Sequence, residues 1–203
     1  MSPTVAPAPC AFSLAVYCGS RPGVLPAYKN LAQTVGHWIG QQGGQLVYGG
    51  GNNGLMGVVA NATHEAGGRV VGIIPEALVG KEVAKEDCDE LHVVDNMHQR
   101  KSMMAERADA FLVIPGGIGT MEEMFEVWTW RQLGYHNKPI GLLNTHGFFD
   151  GLIGFMNHTV EQGFLSPSQL DLIQISDEAL PLLARLTASI SKNQPSHMDL
   201  SEI

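Results

Sequence analysis

Residues 110–134 read AFLVIPGGIGTMEEMFEVWTWRQLG. The run from Phe111 to Ile114 is apolar at every position, the pattern of a strand buried on both faces rather than on alternate ones. Pro115 ends it and Gly116, Gly117 and Gly119 turn the chain. An amphipathic helix is then expected to open at Thr120 and to stop at Gly134. A strand, a glycine turn and a helix start in direct succession make an anion site. The first N–H groups of a helix lack intrahelical partners, and the helix dipole is positive there. Glu122 and Glu123 are expected in the first turn of this helix, which sets two carboxylates beside an anion cradle. That combination points to chemistry on a phosphorylated small molecule. The structural alternative is a capping box, Thr120-Met-Glu-Glu123, in which threonine and glutamate satisfy each other's backbone donors. The rest of the chain decides between them.

Upstream, a strand over 12–17 (FSLAVY) runs into Cys18-Gly-Ser-Arg-Pro-Gly23, and a helix over Pro26 to Gln42 is stopped by Gly43-Gly44. A strand over Gln45 to Tyr48 runs into Gly49-Gly-Gly-Asn-Asn-Gly54, with a helix to about Ala66 and a strand over 69–74. A polar stretch from Gly80 to Asp89 precedes a strand near Leu91 to Val94 and a helix over Met97 to Arg107. Downstream, strands over Pro139 to Leu143 and 171–175 are each followed by a helix, 148–162 and 177–190. Strands that alternate with helices and are apolar at consecutive positions define a parallel sheet covered on both faces. The expected fold is α/β: a single Rossmann-like, doubly wound domain over 12–190. Residues 1–11 are expected to form a flexible lead and 191–203 a flexible tail.

At 203 residues, with 44% hydrophobic and 16% charged positions, the chain has the composition of a globular protein with a sizeable core. A net charge of −8 argues against a general nucleic-acid binder, which needs a basic stripe, but leaves room for a pocket that takes one phosphate. The three cysteines, Cys10, Cys18 and Cys88, are odd in number and form no CxxC, which fits a reducing cytoplasm. No run approaches the roughly 18 apolar residues of a membrane span, and MSPTVAPAPC lacks the basic start and apolar core of a signal peptide. No metal is expected, since the histidines lack H-E-x-x-H spacing and no aspartate-rich turn occurs. Neither G-x-S-x-G nor G-x-x-x-x-G-K-[ST] is present, which removes hydrolase-serine and P-loop chemistry.

Three glycine turns follow strands directly, so all three belong on the carboxyl edge of the sheet, where such folds bind ligands. They supply the rim candidates Gly19, Ser20 and Arg21, then Gly50 and Gly51, then Gly116, Gly117 and Gly119. The middle turn formally matches G-x-G-x-x-G, with Glu76 about 20 residues on as a ribose acid. It lies on the second strand, however, and competes with the turn at 115–120, so a dinucleotide enzyme ranks low. Arg21 lies inside a rim turn and Arg100 opens the helix feeding the central strand; each offers a fork of donors suited to phosphate. Cys18 has no identifiable base partner and reads as a small rim residue.

These residues resemble a known family. YGGGNNGLMG, MHQRK, PGGIGTMEE and TWRQLGYHNKPIGLLN are similar to the LONELY GUY (LOG) family of cytokinin riboside 5′-monophosphate phosphoribohydrolases, over roughly residues 12 to 187. The pairing of PGGxGTxxE with an upstream MHxRK is far more specific than any glycine turn. The resemblance implies Arg100 and Glu123 as the catalytic pair and Gly116, Gly117, Gly119 and Thr120 as the phosphate turn. It extends substrate contacts to Lys101, Glu122, Thr129 and Glu82. It implies a homodimer whose sites are completed near the interface, and no cofactor. Family members were long labelled lysine decarboxylase-like, a label to which no pyridoxal-phosphate lysine arrangement here corresponds. Asn52-Asn53 departs from the serine and small residue of many relatives, on the rim, where it would bear on substrate choice.

The implied reaction is hydrolysis of the N-glycosidic bond of a nucleoside 5′-monophosphate to free base and ribose 5-phosphate. The residues suit it. A carboxylate stabilises the oxocarbenium character left on the ribose and activates water. A guanidinium, which does not give up its proton in proteins, orients substrate or stabilises charge instead. Two other readings stay open at this stage: a Rossmann-like carrier of a phosphorylated cofactor such as molybdenum cofactor, and a general nucleosidase acting on AMP.

Overall fold

The computed structural model describes residues 10–82 and 88–190. In chain order the elements are β1 (Ser13–Tyr17), α1 (Pro26–Gln41), β2 (Gln45–Tyr48), α2 (Gly54–Glu65), β3 (Arg69–Pro75), α3 (Glu76–Glu82), β4 (Glu90–Val94) and α4 (Met97–Arg107). They continue with β5 (Ala110–Val113), α5 (Ile118–Leu133), β6 (Ile140–Leu143), a 3-10 turn (Thr145–Gly147), α6 (Asp150–Glu161), α7 (Pro167–Leu170), β7 (Ile173–Ser176) and α8 (Ala179–Ile190).

The strands form one seven-stranded sheet in the order β4-β3-β2-β1-β5-β6-β7, and every pairing is parallel. Successive residues of a strand point to opposite faces, so a sheet covered on both sides has no position left for a polar side chain. That is why β5 is apolar throughout and β1 is apolar from Leu14 on. Leu14, Val16, Ala110, Leu112 and Ile114 pack on one face with Leu31, Val35 and Ile39 of α1, Leu55 and Val59 of α2, and Leu182 and Leu186 of α8. Ala15, Tyr17, Phe111 and Val113 pack on the other with Met104 of α4, Met124, Val127 and Trp128 of α5, and Met156 of α6. The doubly wound α/β expectation is met.

Two short helices lie where none was expected. Glu76–Glu82 is helical, so the polar stretch begins later than Gly80. Pro167–Leu170 is closed by a capping box between Ser166 and Gln169, with Ser166 Oγ accepting from the Gln169 N–H at 3.2 Å. A short capped turn has too few residues to show a helical period.

The topology sets the place of the site. From β1 the chain winds outward through β2, β3 and β4, then crosses back to pair β5 with the other side of β1, with Leu14 opposite Ala110. The connections leave β1 and β5 in opposite directions, and a crevice opens beyond their carboxyl ends. The two strand ends stay tied past the regular ladder: Ile114 N–H donates to the Tyr17 carbonyl at 3.0 Å and Gly19 N–H to the Pro115 carbonyl at 3.1 Å.

Candidate active site

The crevice holds a cavity of about 510 Å³. Its walls are the turn after β1 (Cys18 to Gly23), the turn from Pro115 to Thr120, Leu55 and Met56 of α2, Met97 and Arg100 of α4, Glu122 and Glu123 of α5, and Tyr28 and Phe148.

The turn after β5 differs from expectation. Helix α5 begins at Ile118, with Gly117 as its N-cap in extended backbone (φ −96°, ψ −154°) and Met121 N–H bonded to the Gly117 carbonyl at 3.2 Å. Thr120 is therefore the third helical residue rather than the cap, the capping box with Glu123 is not formed, and Glu122 and Glu123 lie in the second turn. The physical reason is the glycine pair. Gly117 serves as cap without a side chain, and Gly116 lets Thr120 tuck under the turn, where a Cβ at position 116 would stand 2.0 Å from Thr120 Oγ1. Thr120 is accordingly buried. No side chain caps the N-cap position, so the leading amides of α5 face the cavity as anion donors.

Arg100 is placed by the start of α4. Asn96 caps that helix, its Oδ1 accepting from Gln99 N–H at 3.0 Å, and Gln99 Oε1 accepts in return from Asp95 N–H at 2.9 Å. One turn in, the Arg100 side chain is only 6% exposed, and its Nη2 donates to the Gly49 carbonyl at 3.3 Å. A Cβ at Gly49 would stand 1.9 Å from that nitrogen. The turn that formally resembles a dinucleotide fingerprint thus makes room for a guanidinium. Gly50 (φ +76°) and Gly54 (φ +58°) hold its left-handed corners.

Glu123 reaches the same cavity from α5. Its charge is felt beneath the floor. Burial, and then the Glu123 carboxylate, push the Cys18 thiol far above the usual cysteine range, and burial, then Glu123 and Glu126, do the same to the Tyr17 hydroxyl against a smaller opposing effect of Arg100. Cys18 is held as a buried thiol rather than a nucleophile.

Of the residues proposed from sequence, Arg100, Glu123, Gly19, Ser20, Arg21, Gly116, Gly117, Gly119, Thr120 and Glu122 all line this one cavity, with Arg21 exposed at its rim. Four lie off it. Gly50 packs on Ile73 and Ile74, Gly51 is buried behind the rim, Thr129 is exposed about three turns along α5, and Lys101 is paired with Glu122 and Glu126. The side chain of Glu82 lies outside the described residues. Asn52 is exposed, and Asn53 is the N-cap of α2; neither lines the cavity. The apolar wall of Tyr28, Leu55, Met56, Met97 and Phe148 was not read from sequence. Leu55, Met56 and Met97 lie inside YGGGNNGLMG and MHQRK without having been singled out there, whereas Tyr28 and Phe148 belong to no motif and reach the cavity only through the topology. Tyr28 and Phe148 meet edge to face with centroids 5.5 Å apart.

A parallel sheet with an uncapped helix start at its switch point, and a guanidinium and a carboxylate on the same cavity, defines a Rossmann-like protein with a cavity at the carboxyl edge of its sheet. Comparison with known proteins narrows the class. A family model described as "possible lysine decarboxylase" matches residues 56–186. The chain is 44% identical over 173 residues to the cytokinin riboside 5′-monophosphate phosphoribohydrolase LOG3 of Arabidopsis thaliana, covering 85% of this chain and 80% of that protein. It is 44% identical over 175 residues to the probable enzyme LOG4 of Oryza sativa subsp. japonica, covering 86% and 76%. The chain belongs to the LOG family of cytokinin riboside 5′-monophosphate phosphoribohydrolases. In fold it is similar to the molybdenum cofactor binding protein of Rippkaea orientalis (TM-score 0.64, 20% identity, 88% of this chain and 96% of that one). It is likewise similar to the molybdenum cofactor carrier protein of Chlamydomonas reinhardtii (TM-score 0.64, 17% identity, 89% and 98%). The decarboxylase description would need a lysine on the cavity wall, and among the described residues none lines it: Lys101 is tied to two glutamates, and Lys138 Nζ donates to the Ala105 carbonyl at 2.7 Å.

Proposed function

We propose that this protein hydrolyses the N-glycosidic bond of purine nucleoside 5′-monophosphates, cytokinin riboside monophosphates or AMP, to free base and ribose 5-phosphate. The observation that carries the reading is convergence: Arg100, Glu123 and the uncapped start of α5 face one cavity. The 5′-phosphate sits on the amides of Gly117, Gly119 and Thr120, with Ser20 and Arg21 closing the rim. That anchor, remote from the bond that breaks, fixes the ribose and lowers the entropic cost of reaction. Glu123 faces the anomeric carbon, stabilises the oxocarbenium character as the base departs, and orients the attacking water. The water oxygen ends on C1′ of the ribose and its proton on the departing purine. Arg100, a permanent cation with a fixed fork, holds substrate oxygens and balances charge. The apolar wall of Tyr28, Met97 and Phe148 gives a large, mainly hydrophobic base somewhere to lie.

Glu82, Lys101, Glu122 and Thr129 complete the family's substrate contacts in this proposal, Thr129 in a homodimer where α5 meets the partner. The outward face of α5, with Ile118, Phe125 and Leu133 exposed, supports that assembly. The three cysteines are free, which supports a reducing, cytoplasmic setting. Among the described residues no helix is long and apolar enough to cross a membrane.

The test is chromatography of purified protein incubated with AMP and with isopentenyladenosine monophosphate, beside a Glu123→Gln control. Free base and ribose 5-phosphate from the wild type alone support the hydrolase, and the rate ratio names the preferred base. No release from a folded protein would leave a carrier of a phosphorylated ligand.

A further inference from the structure

The cavity wall carries an oxidisable sulfur next to the proposed catalytic pair. Met97 is the first residue of α4 and Arg100 the fourth, so the two side chains share one face of the helix. Arg100 Nη1 donates to Met97 Sδ at 3.8 Å, and both residues line the cavity. Met97 is 41% exposed. Among the described residues Met56, Met104, Met124 and Met156 are buried, and Met103 and Met121 are half-buried. The methionine most open to solvent is thus the one whose sulfur touches the guanidinium.

A thioether needs no deprotonation before it is oxidised. Its sulfur lone pair takes the terminal oxygen of a hydroperoxide and the O–O bond breaks. The other oxygen leaves with the proton as water or an alcohol, so sulfur loses the two electrons that the peroxide gains. Cys18 lines the same cavity, but burial, and then the Glu123 charge, hold it as the thiol rather than the thiolate that reacts with peroxides.

The product at Met97 is a sulfoxide, polar and chiral where an apolar side chain stood. The change falls on the contact itself. A thioether is a weak acceptor, whereas an oxygen on the same sulfur is a strong one, and a hydrogen bond with one charged partner is the stronger kind. An oxygen set beside Arg100 Nη1 holds the guanidinium at the wall instead of on substrate oxygens. The base then also meets a polar group on a wall that was apolar.

We propose that Met97 is a modification site: a hydroperoxide oxidises it to the sulfoxide, which captures Arg100 and closes the site, and reduction reopens it. The effect on turnover rests on the hydrolase reading above; the reaction at sulfur does not.

The experiment treats the wild type and Met97→Leu with hydrogen peroxide and reads oxidation at each methionine and cysteine by peptide mass spectrometry. The kcat/KM on AMP is compared with that of each protein's own untreated sample. The wild type is expected to gain oxygen at Met97 ahead of Met103 and Met121. Its kcat/KM should fall about tenfold or more in step, as displacement of a catalytic group by about an ångström does. The two methionine sulfoxide reductases, one for each epimer, should restore it together. Met97→Leu, whatever its own starting rate, should lose less than about twofold at the same dose. Met97 oxidised with kcat/KM retained, an equal loss in Met97→Leu, or oxidation at Met97 no faster than at Met103 and Met121 would overturn the proposal. If Met97→Leu does not fold or is too slow to assay, reversal by the reductases decides in its place. A wild type without turnover refutes the hydrolase reading, and AMP affinity by calorimetry before and after oxidation then replaces the rate.

Discussion

Gly49 and Arg100 meet across the site so closely that neither can be understood alone: Arg100 Nη2 donates to the Gly49 carbonyl at 3.3 Å, and a Cβ on Gly49 would stand 1.9 Å from the same nitrogen. The atom in the way is the end of a flexible side chain, so Gly49→Ala is expected to displace the guanidinium rather than the backbone. Stability should fall by about 1 kcal/mol, at the mild end of overpacking, while kcat/KM falls about tenfold or more through loss of Arg100 geometry. Thermal melts and steady-state kinetics on one preparation check it. Wild-type kcat/KM would mean that Arg100 works equally well from elsewhere.

Glu123 is not the partner in a capping box, because α5 starts at Ile118 and its cap is Gly117. Glu123→Gln therefore removes charge at the cavity without removing a helix cap, and stability should change by less than about 1 kcal/mol. Turnover should drop by more than about tenfold, the smaller end of what a general base contributes, with inorganic phosphate affinity retained by the turn. Calorimetric titration of phosphate beside the rate assay separates the two effects. Unchanged turnover would return Glu123 to a structural role.

Much of this was legible in the residues themselves. The all-apolar strands Leu14 to Tyr17 and Ala110 to Val113 announced a doubly covered parallel sheet, and the glycine turns after them announced its binding edge. The helix start was misplaced by two residues, because Thr120 and Glu123 have the spacing of a capping box. Nothing local says that glycine will take the cap and the threonine will be buried beneath it. The role of Gly49 was hidden for a different reason. A glycine required by its own φ and one required by a side chain arriving from α4 look alike in sequence. So too with Lys101, whose partners lie 21 and 25 residues away on another helix. Tyr28 and Phe148 belong to no motif and became part of the site only through topology.

The glycines of the phosphate turn separate by environment. A Cβ at Gly116 would meet Thr120 Oγ1 at 2.0 Å, Thr120 Cβ at 2.7 Å and the Gly19 backbone nitrogen at 2.8 Å. The last two belong to a buried residue and to the turn after β1, and neither yields without opening the junction of the two turns. At Gly117 a Cβ meets nothing within 4 Å and φ is −96°. Gly116→Ala is expected to cost about 1–3 kcal/mol, as overpacking does, and to weaken phosphate binding. Gly117→Ala should stay within about 1 kcal/mol, the cost of a poorer cap. Denaturant melts of the pair check this, and equal losses would show that the turn does not distinguish its glycines.

His136 gives the fold a pH dependence of its own. The ring is buried; Nε2 lies 2.9 Å from the Val127 carbonyl, to which it donates, and Nδ1 accepts from Lys138 N–H at 3.1 Å. Burial is the main cause that lowers its pKa from 6.5 to about 4. The Val127 bond opposes it, and the charges of Lys138 and Arg131 add to it. A histidine kept neutral in the fold is protonated first in the unfolded chain, so between 6.5 and about 4 the unfolded state binds more protons and stability falls as pH falls. The full effect over that window is at most about 3 kcal/mol. The carboxylate of Glu90 is held below its ordinary 4.5, chiefly by its hydrogen bond to His92, so its contribution is lost only below that value and does not overlap the upper part of the histidine window. Urea melts from about pH 7 down to about pH 4.5 should therefore show declining stability in the wild type and a flatter profile in His136→Gln. Parallel profiles would assign the slope to groups other than His136, and an upward slope toward acid would contradict a neutral ring in the fold.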